Sequence, residues 1–295
     1  MAARMPSDDS PLSATDRKPN RAIGAILVQA KRLNYSDIHE IQTFATKVGL
    51  RFGDAAVQLK LLTPEDVEFA LAQQFNYPLL PHGPEGVVSD EVVAAYDPNR
   101  MAIEDLRTVR SRLVLGWLQR SARNVLAVIS PERCEGRSWV AANLATVFAQ
   151  AGERTLLIDT DLRRPRQHLL FNLNNELGLS ALLTGRAGKQ IAQRVHPQLR
   201  LFVAPAGVVP PNPQELLTRQ VFDVVLDNYA KQFDLVVLDT PAAMETADAE
   251  ILAARAGAAI IVARNNHTRP ATLRATLDCL VRSGVKVIGS IVNEY

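Results

Sequence analysis

The sequence predicts a chain of two parts: a small all-helical module, then an α/β domain built on a doubly wound, mostly parallel sheet. Three observations predict it. Near-continuous apolar runs alternate with helix-length segments from about residue 124 onward. A helix–turn–helix pattern between residues 24 and 45 recurs between residues 53 and 74. A loop of the kind that cradles phosphate follows the first apolar run. Size and composition agree. The 295 residues suffice for two domains, and 47% hydrophobic against 22% charged residues allows packed cores. With 33 Lys+Arg against 31 Asp+Glu the formal net charge is only +2, which gives no global reason to expect nucleic acid.

The first 20 residues, "MAARMPSDDSPLSATDRKPN", lack the apolar core of a signal peptide and are expected to be a disordered tail. No apolar run approaches the ~20 residues that span a bilayer. The two cysteines, Cys134 and Cys279, make no metal-ligand pattern and no disulfide framework, which suits a reducing cytosol.

Residues 21–80 are expected to form the helical module. Setting Gly24 on Gly53 also matches Val28 with Val57, Gln29 with Gln58, Lys31 with Lys60, Leu33 with Leu62 and Asp37 with Asp66. In the second copy Thr63 is a helix N-cap and Pro64 opens the helix, followed by Glu65 and Asp66. The stretch "LRFGDAAVQLKLLTPEDVEFALAQQFNYPLL" resembles the N-terminal domain of type II secretion and pilus-assembly ATPases. Some relatives of that domain bind cyclic di-GMP. Arg51 and Gly53 fit such a site, but Arg21 is one residue out of step, and Ala30 and Leu59 stand where binders have glycine. A protein-interaction module is therefore the favoured expectation, and the dinucleotide the alternative. Residues 81–100, rich in Pro and Gly, read as a linker.

Residues 101–295 form the expected α/β domain. The runs "NVLAVIS", "RTLLIDTD", "LRLFVAPAG", "DLVVLDTP", "AAIIVAR" and "VKVIGSIVN" are dense in Val, Ile and Leu, as strands buried on both faces are. Segments such as "WVAANLATVFAQAG" and "PQELLTRQVFDVVLDNYAKQ" supply the crossover helices. Ligands of such sheets sit at the carboxyl ends of the strands. Three chemistry-bearing stretches lie there. "PERCEGRS" occupies the place of a phosphate-binding loop, with Gly136 and Ser138 matching and Arg137 where lysine is usual. Asp159 and Asp161 end one run and Asp239 ends another. Each alone has an ordinary reading as a turn or cap residue. Three successive strand ends argue for a common site, with Mg²⁺ an obvious counter-ion for the carboxylates.

"SPERCEGRSWVAANLA", "LLIDTDLRRPRQH", "PAGVVPPNPQELL" and "FDLVVLDTPAA", in that order, resemble the bacterial tyrosine kinases of capsule and exopolysaccharide assembly. These are P-loop proteins related to the MinD and ParA ATPases. With the front module, the chain is similar to the chain-length-determinant tyrosine kinases of exopolysaccharide operons. The resemblance implies ATP and Mg²⁺ as cofactors and phosphoryl transfer to tyrosine. It places nucleotide contacts at Arg133, Cys134, Glu135, Gly136, Arg137, Ser138 and Trp139, and one to adenine at Asn293. It implies metal contacts at Ser138, Asp159 and Asp239, and catalytic roles for Asp159, Asp161 and Arg137. "EDLRTVRSRL" carries Glu104, Arg107 and Arg110 at a spacing that allows one helix face; the family's E-x-x-R-x-x-R helix joins subunits into a ring.

The resemblance further implies a Wzz-like polysaccharide co-polymerase in the membrane as a partner on a separate chain. It places this chain in the cytoplasm at the inner face of the plasma membrane, regulating polymerisation, chain length and export. No nucleic-acid partner is expected. The departures are Arg137 for lysine, Glu132 and Cys134 for glycine, Trp139 for a small residue, and a lone terminal Tyr295 in place of a tyrosine cluster. Tyr35, Tyr77, Tyr96 and Tyr229 are scattered and read as structural. A non-catalytic scaffold and a MinD- or ParA-like positioning ATPase are the alternatives.

Overall fold

The computed structural model describes residues 22–75, 77–80, 87–188 and 190–294. The expected tail, Arg21 and Tyr295 lie outside them. The chain divides into two units, one up to Tyr77 and one from Pro78.

In the first unit the internal repeat has a physical basis. It consists of α1 (Ile23–Gln29), α2 (Tyr35–Val48), α3 (Phe52–Gln58) and α4 (Pro64–Gln74). Helix α1 packs on α4 and α2 on α3, so each copy completes the other's core around Leu27, Ile41, Ala55, Ala56 and Ala70. The matched aspartates do the same work in both copies. Asp37 Oδ2 accepts from Asn34 N at 2.8 Å and Asp66 Oδ2 from Thr63 N at 3.0 Å, each closing a helix start. The matched lysines end α1 and α3 in left-handed conformation, Lys31 at φ 57° and Lys60 at φ 58°. The matched glycines mark close helix contact: a Cβ on Gly24 would lie 3.1 Å from Ile38 Cδ1, and one on Gly53 2.7 Å from Val67 Cγ1.

The second unit begins earlier than the sequence suggests. Leu79 and Leu80 are buried, and Leu80 N donates to Ala95 O at 2.8 Å. Residues 87–100, expected as part of a linker, form an ordered strap instead. Val88, Val92, Val93, Ala94 and Ala95 are core residues, and Ala94 N donates to the buried side chain of Asn143 at 2.9 Å. The Pro and Gly that gave the segment its linker-like composition cluster in residues 81–86, outside the described residues.

After α5 (Met101–Gly116) the chain alternates as expected: β1 (Val125–Ile129), α6 (Arg137–Gln150), β2 (Thr155–Asp159), α7 (Gln167–Leu170) and α8 (Leu179–Leu183). Then come β3 (Gln193–Arg194), β4 (Leu201–Ala204), α9 (Pro213–Thr218), α10 (Gln220–Ala230) and β5 (Leu235–Asp239). The chain ends with α11 (Asp248–Ala256), β6 (Ala258–Arg264), α12 (Pro270–Arg282) and β7 (Lys286–Asn293). The sheet order is β3-β4-β2-β5-β1-β6-β7, parallel except where β3 meets β4. Strand β3, Gln193–Arg194, has no apolar run to announce it. The helical segment 213–232 breaks at Arg219, whose ψ of 141° is extended. Alternate residues of β1 feed opposite faces: Leu126 and Val128 join the core under α5 and α6, while Val125, Ala127 and Ile129 join the core under α10 and α11. Helix α6 is buried along its length from Val140 to Gln150, so its apolar residues encircle it.

The glycine contacts lead to a test. Gly53→Ala forces its methyl into a stiff β-branched valine and should destabilise the first unit by about 1–3 kcal/mol. Gly24→Ala, facing the movable end of an isoleucine, should cost less. Urea unfolding of the full chain, followed by a probe in residues 22–77, reads the difference.

Candidate functional site

The sheet order brings the three strand ends together. Strand β5 lies between β2 and β1, with Asp239 beside Asp159 on one side and Val128 on the other. The loop 130–136, the turn 160–166 and Asp239 therefore share one rim.

The loop is held open by its own chain. Ser130 Oγ donates to Glu132 O at 2.7 Å. Glu135 is buried: its Oε2 accepts from Glu132 N at 2.7 Å, and its Oε1 accepts from the Thr268 hydroxyl. Cys134 has φ 57° and Gly136 φ 88°, both left-handed. Of the two non-glycine departures, only Cys134 thus sits where glycine is conformationally favoured; Glu132 does not adopt positive φ.

Arg137 opens α6 and turns inward. Its Nη1 donates to Ser130 Oγ at 2.7 Å, its Nη2 lies 3.6 Å from Asp161 Oδ2, and its Nε lies 3.5 Å from Asp239 Oδ1. Asp161 is 8% exposed, and its Oδ1 accepts from Arg163 N at 3.2 Å and Arg164 N at 3.0 Å. Asp159 is fully buried. Its Oδ1 accepts from Asp161 N at 3.2 Å, and its Oδ2 from Arg166 N at 2.8 Å and Gln167 N at 2.9 Å. Asp159 therefore shapes the 161–167 turn and does not line the cavity. Burial, then the neighbouring Asp239 carboxylate, push Asp159 well above the usual carboxylate range. Burial raises Asp239 as well, opposed by Arg137, Gln167 and Ser138.

A cavity of about 400 Å³ opens over this rim. Its lining includes five arginines (Arg133, Arg137, Arg163, Arg164 and Arg166) against three carboxylates, Glu135, Asp161 and Glu245. The arginines are braced: Arg133 and Arg164 each reach Glu245 at 3.3 Å, Arg163 reaches buried Asp248 at 2.8 Å, and Arg166 grips both oxygens of Glu91 at 2.9 and 2.7 Å. Among the described residues, no three His, Cys, Asp or Glu side chains gather into a metal cage. The cavity is suited to a polyanion.

Other expected site residues lie elsewhere. Trp139, in the first turn of α6, is partly buried against the core and does not line the cavity. Asn293 reaches the loop, not the cavity: its Nδ2 donates to Glu135 O at 3.2 Å. On α5, Arg107 pairs with Glu104 at 2.8 Å, while Ile103 and Leu106 face the core. Tyr229 is buried, its phenol pushed up to about 12, and the Tyr96 hydroxyl binds Val88 O, so both are structural as expected. Tyr35 is 79% exposed and is not a packing residue. Sequence reasoning passed over Gln167, whose Nε2 donates to Asp239 Oδ2 at 2.7 Å and to Ser138 O at 3.1 Å. Its position inside the "DLRRPRQH" stretch was the available signal.

A parallel sheet with a phosphate-type loop after β1 and carboxylates ending β2 and β5 defines the class of P-loop nucleotide-binding proteins. No family model matches the chain. The tyrosine-protein kinase YwqD of Bacillus subtilis (strain 168) is 33% identical over 202 residues, 68% of this chain and 85% of that protein. The tyrosine-protein kinase ptk of Acinetobacter johnsonii is 36% identical over 204 residues, 69% of this chain but 28% of that protein. The chain thus matches little more than a quarter of some longer relatives. The kinase domain of the Escherichia coli tyrosine kinase ETK superposes with a TM-score of 0.66 at 31% identity, covering 69% of this chain and 79% of that one. The Pyrococcus furiosus cell division ATPase MinD, at 20% identity and a TM-score of 0.52, shares the fold. The chain belongs to the bacterial tyrosine-protein kinase family.

The left-handed Cys134 gives a direct test. Cys134→Gly should raise stability by about 1 kcal/mol, because it removes the Cβ clash of that conformation. Urea denaturation of the two proteins measures it.

Proposed function

We propose that the chain binds ATP at this cavity and transfers its terminal phosphoryl group to tyrosine hydroxyls, as a component of exopolysaccharide polymerisation and export. One observation carries the reading: residues 133–138 of the loop and Asp161 line a single arginine-rich cavity at the carboxyl end of the sheet, with Asp239 buried behind Arg137 at 3.5 Å.

The residues fit a magnesium ion as well as a nucleotide. Asp239 Oδ1 is buried without a hydrogen-bond partner and, with Asp161 and the Ser138 hydroxyl, offers hard oxygen donors. Mg²⁺ keeps several waters and needs few protein ligands when phosphates complete its shell. Ser138 and Asp239 would hold it, and it would supply charge across the phosphates. The rest is the chain's own work. Loop N–H groups and the start of α6 bind phosphate oxygens. Arg137 and the rim arginines offset negative charge, Arg137 as a planar guanidinium where lysine is usual. Asp161, exposed to the cavity, accepts the tyrosine proton as the new O–P bond forms and the bond to ADP breaks. Asp159, buried behind it, sets the turn from which Asp161 projects.

Activity at the level of a whole export system also needs partners. A Wzz-like membrane co-polymerase on a separate chain and a homo-oligomer joined through Glu104, Arg107 and Arg110 fit the family; one similar structure is that of the chimerical protein CapA2B2, at 28% identity and a TM-score of 0.65. Among the described residues no helix is long and apolar enough to cross a membrane. We place the chain at the inner membrane face through such a partner. The first unit serves as a protein-interaction module: its matched glycines are explained by helix packing, which weakens the case for cyclic di-GMP.

A second reading, a non-catalytic scaffold, is favoured by Arg137 standing between Asp161 and Asp239. Calorimetry separates the two. The kinase reading expects binding of Mg·ATP in the micromolar range or weaker, and no heat at millimolar ATP supports the scaffold. Asp161→Ala should lower in-vitro phosphotyrosine formation by about 100-fold or more, read by anti-phosphotyrosine blot and intact mass.

A further inference from the structure

We propose that Gln167 is a positioning residue that fixes which oxygen of Asp239 is turned toward Arg137 and the floor of the nucleotide cavity; the inference rests on the Mg·ATP reading above. Gln167 is fully buried at the first position of α7. Its carboxamide Nε2 donates to Asp239 Oδ2 at 2.7 Å and to Ser138 O at 3.1 Å. Its backbone N–H donates to Asp159 Oδ2 at 2.9 Å. One residue thus ties the start of α6, the end of β5 and the end of β2.

The orientation of the amide is determined by its surroundings. Both groups at the Nε2 end are acceptors, so the flipped amide would set Oε1 against a carboxylate and a carbonyl. The other end confirms that packing is not the whole account. Gln167 Oε1 is buried with no hydrogen-bond partner, an arrangement that an apolar side chain of the same shape would avoid. What the amide achieves lies at its nitrogen. It occupies Asp239 Oδ2 and leaves Oδ1, itself without a hydrogen-bond partner, turned toward Arg137 Nε at 3.5 Å. A neutral donor is suited to this task. It orients the carboxylate without cancelling its charge, which a lysine or arginine in the same place would do. The same amide holds the Ser138 carbonyl, so the hydroxyl-bearing residue and the carboxylate are set by one group. Outer-shell hydrogen bonds of this kind orient metal ligands.

The test is the magnesium dependence of nucleotide binding, measured by calorimetry with ATP in EDTA and in excess Mg²⁺, on the full chain. Gln167→Met keeps length and volume and removes both donors. It should leave affinity in EDTA close to wild type and reduce the gain in affinity from Mg²⁺ by about tenfold or more. Gln167→Asn, which keeps the amide but is one methylene too short for both acceptors, should shift the gain in the same direction and stands in if the methionine variant does not fold. A wild-type magnesium gain in these variants, or an equal loss with and without Mg²⁺, overturns the positioning role while leaving the nucleotide site intact. Absence of ATP binding in the wild-type protein overturns the site reading and this inference with it.

Discussion

The second unit is organised around the burial of carboxylates at neighbouring parallel strand ends. Asp159, Asp161 and Asp239 are all nearly excluded from solvent, and two of them face each other across adjacent strands. Such charges repel and lose hydration, so each needs a specific answer. Asp159 receives three backbone N–H groups from the turn that follows it, Asp239 receives an amide from Gln167, and Arg137 spans Asp239 and Asp161. The sign of the effect on stability follows from the raised Asp159 and Asp239. A carboxyl whose folded pKa is elevated favours folding below its unfolded pKa, and that contribution is lost as pH rises through the folded pKa. Near neutrality these two groups therefore oppose folding, a burden that neighbours and packing offset.

Much of this was legible in the sequence because parallel strands advertise themselves. Runs such as "LLID" and "LVVLD" end in the residue that matters, and the fold rule places those ends on one rim. The P-loop position was legible too, although only Gly136 and Ser138 matched outright. What stayed hidden depends on three-dimensional partnership. The sequence shows Asp159 and Asp161 as equivalents two residues apart, yet one is consumed by its own turn and the other faces the cavity. Gln167 is marked only by its place in "DLRRPRQH", since its importance comes from acceptors 29 and 72 residues away in sequence. Trp139, expected at the nucleotide, packs instead against the core as a partly buried residue.

The same contrast holds for residues 78–100. Composition marks Pro and Gly as punctuation, but it says nothing of a short apolar cluster such as Val92–Ala95 finding a groove. The repeat in the first unit was visible as matched letters. Its cause was not: the helices of the two copies pair crosswise to build the core, and within each copy the first helix crosses the second so closely that a glycine is required there.

The strap from Val88 to Tyr96 has a mechanical corollary. It is pinned to α6 through Asn143, which binds Glu91 O and Ala94 N, and to the cavity rim through Glu91 and Arg166. Helix α6 is the element whose first turn carries Arg137 and Ser138. The polypeptide arriving at Pro78 is thus leashed to the same rod that presents the loop. Within the second unit, then, the strap and the loop-bearing helix form one fastening, and a change that frees Asn143 or Glu91 loosens both.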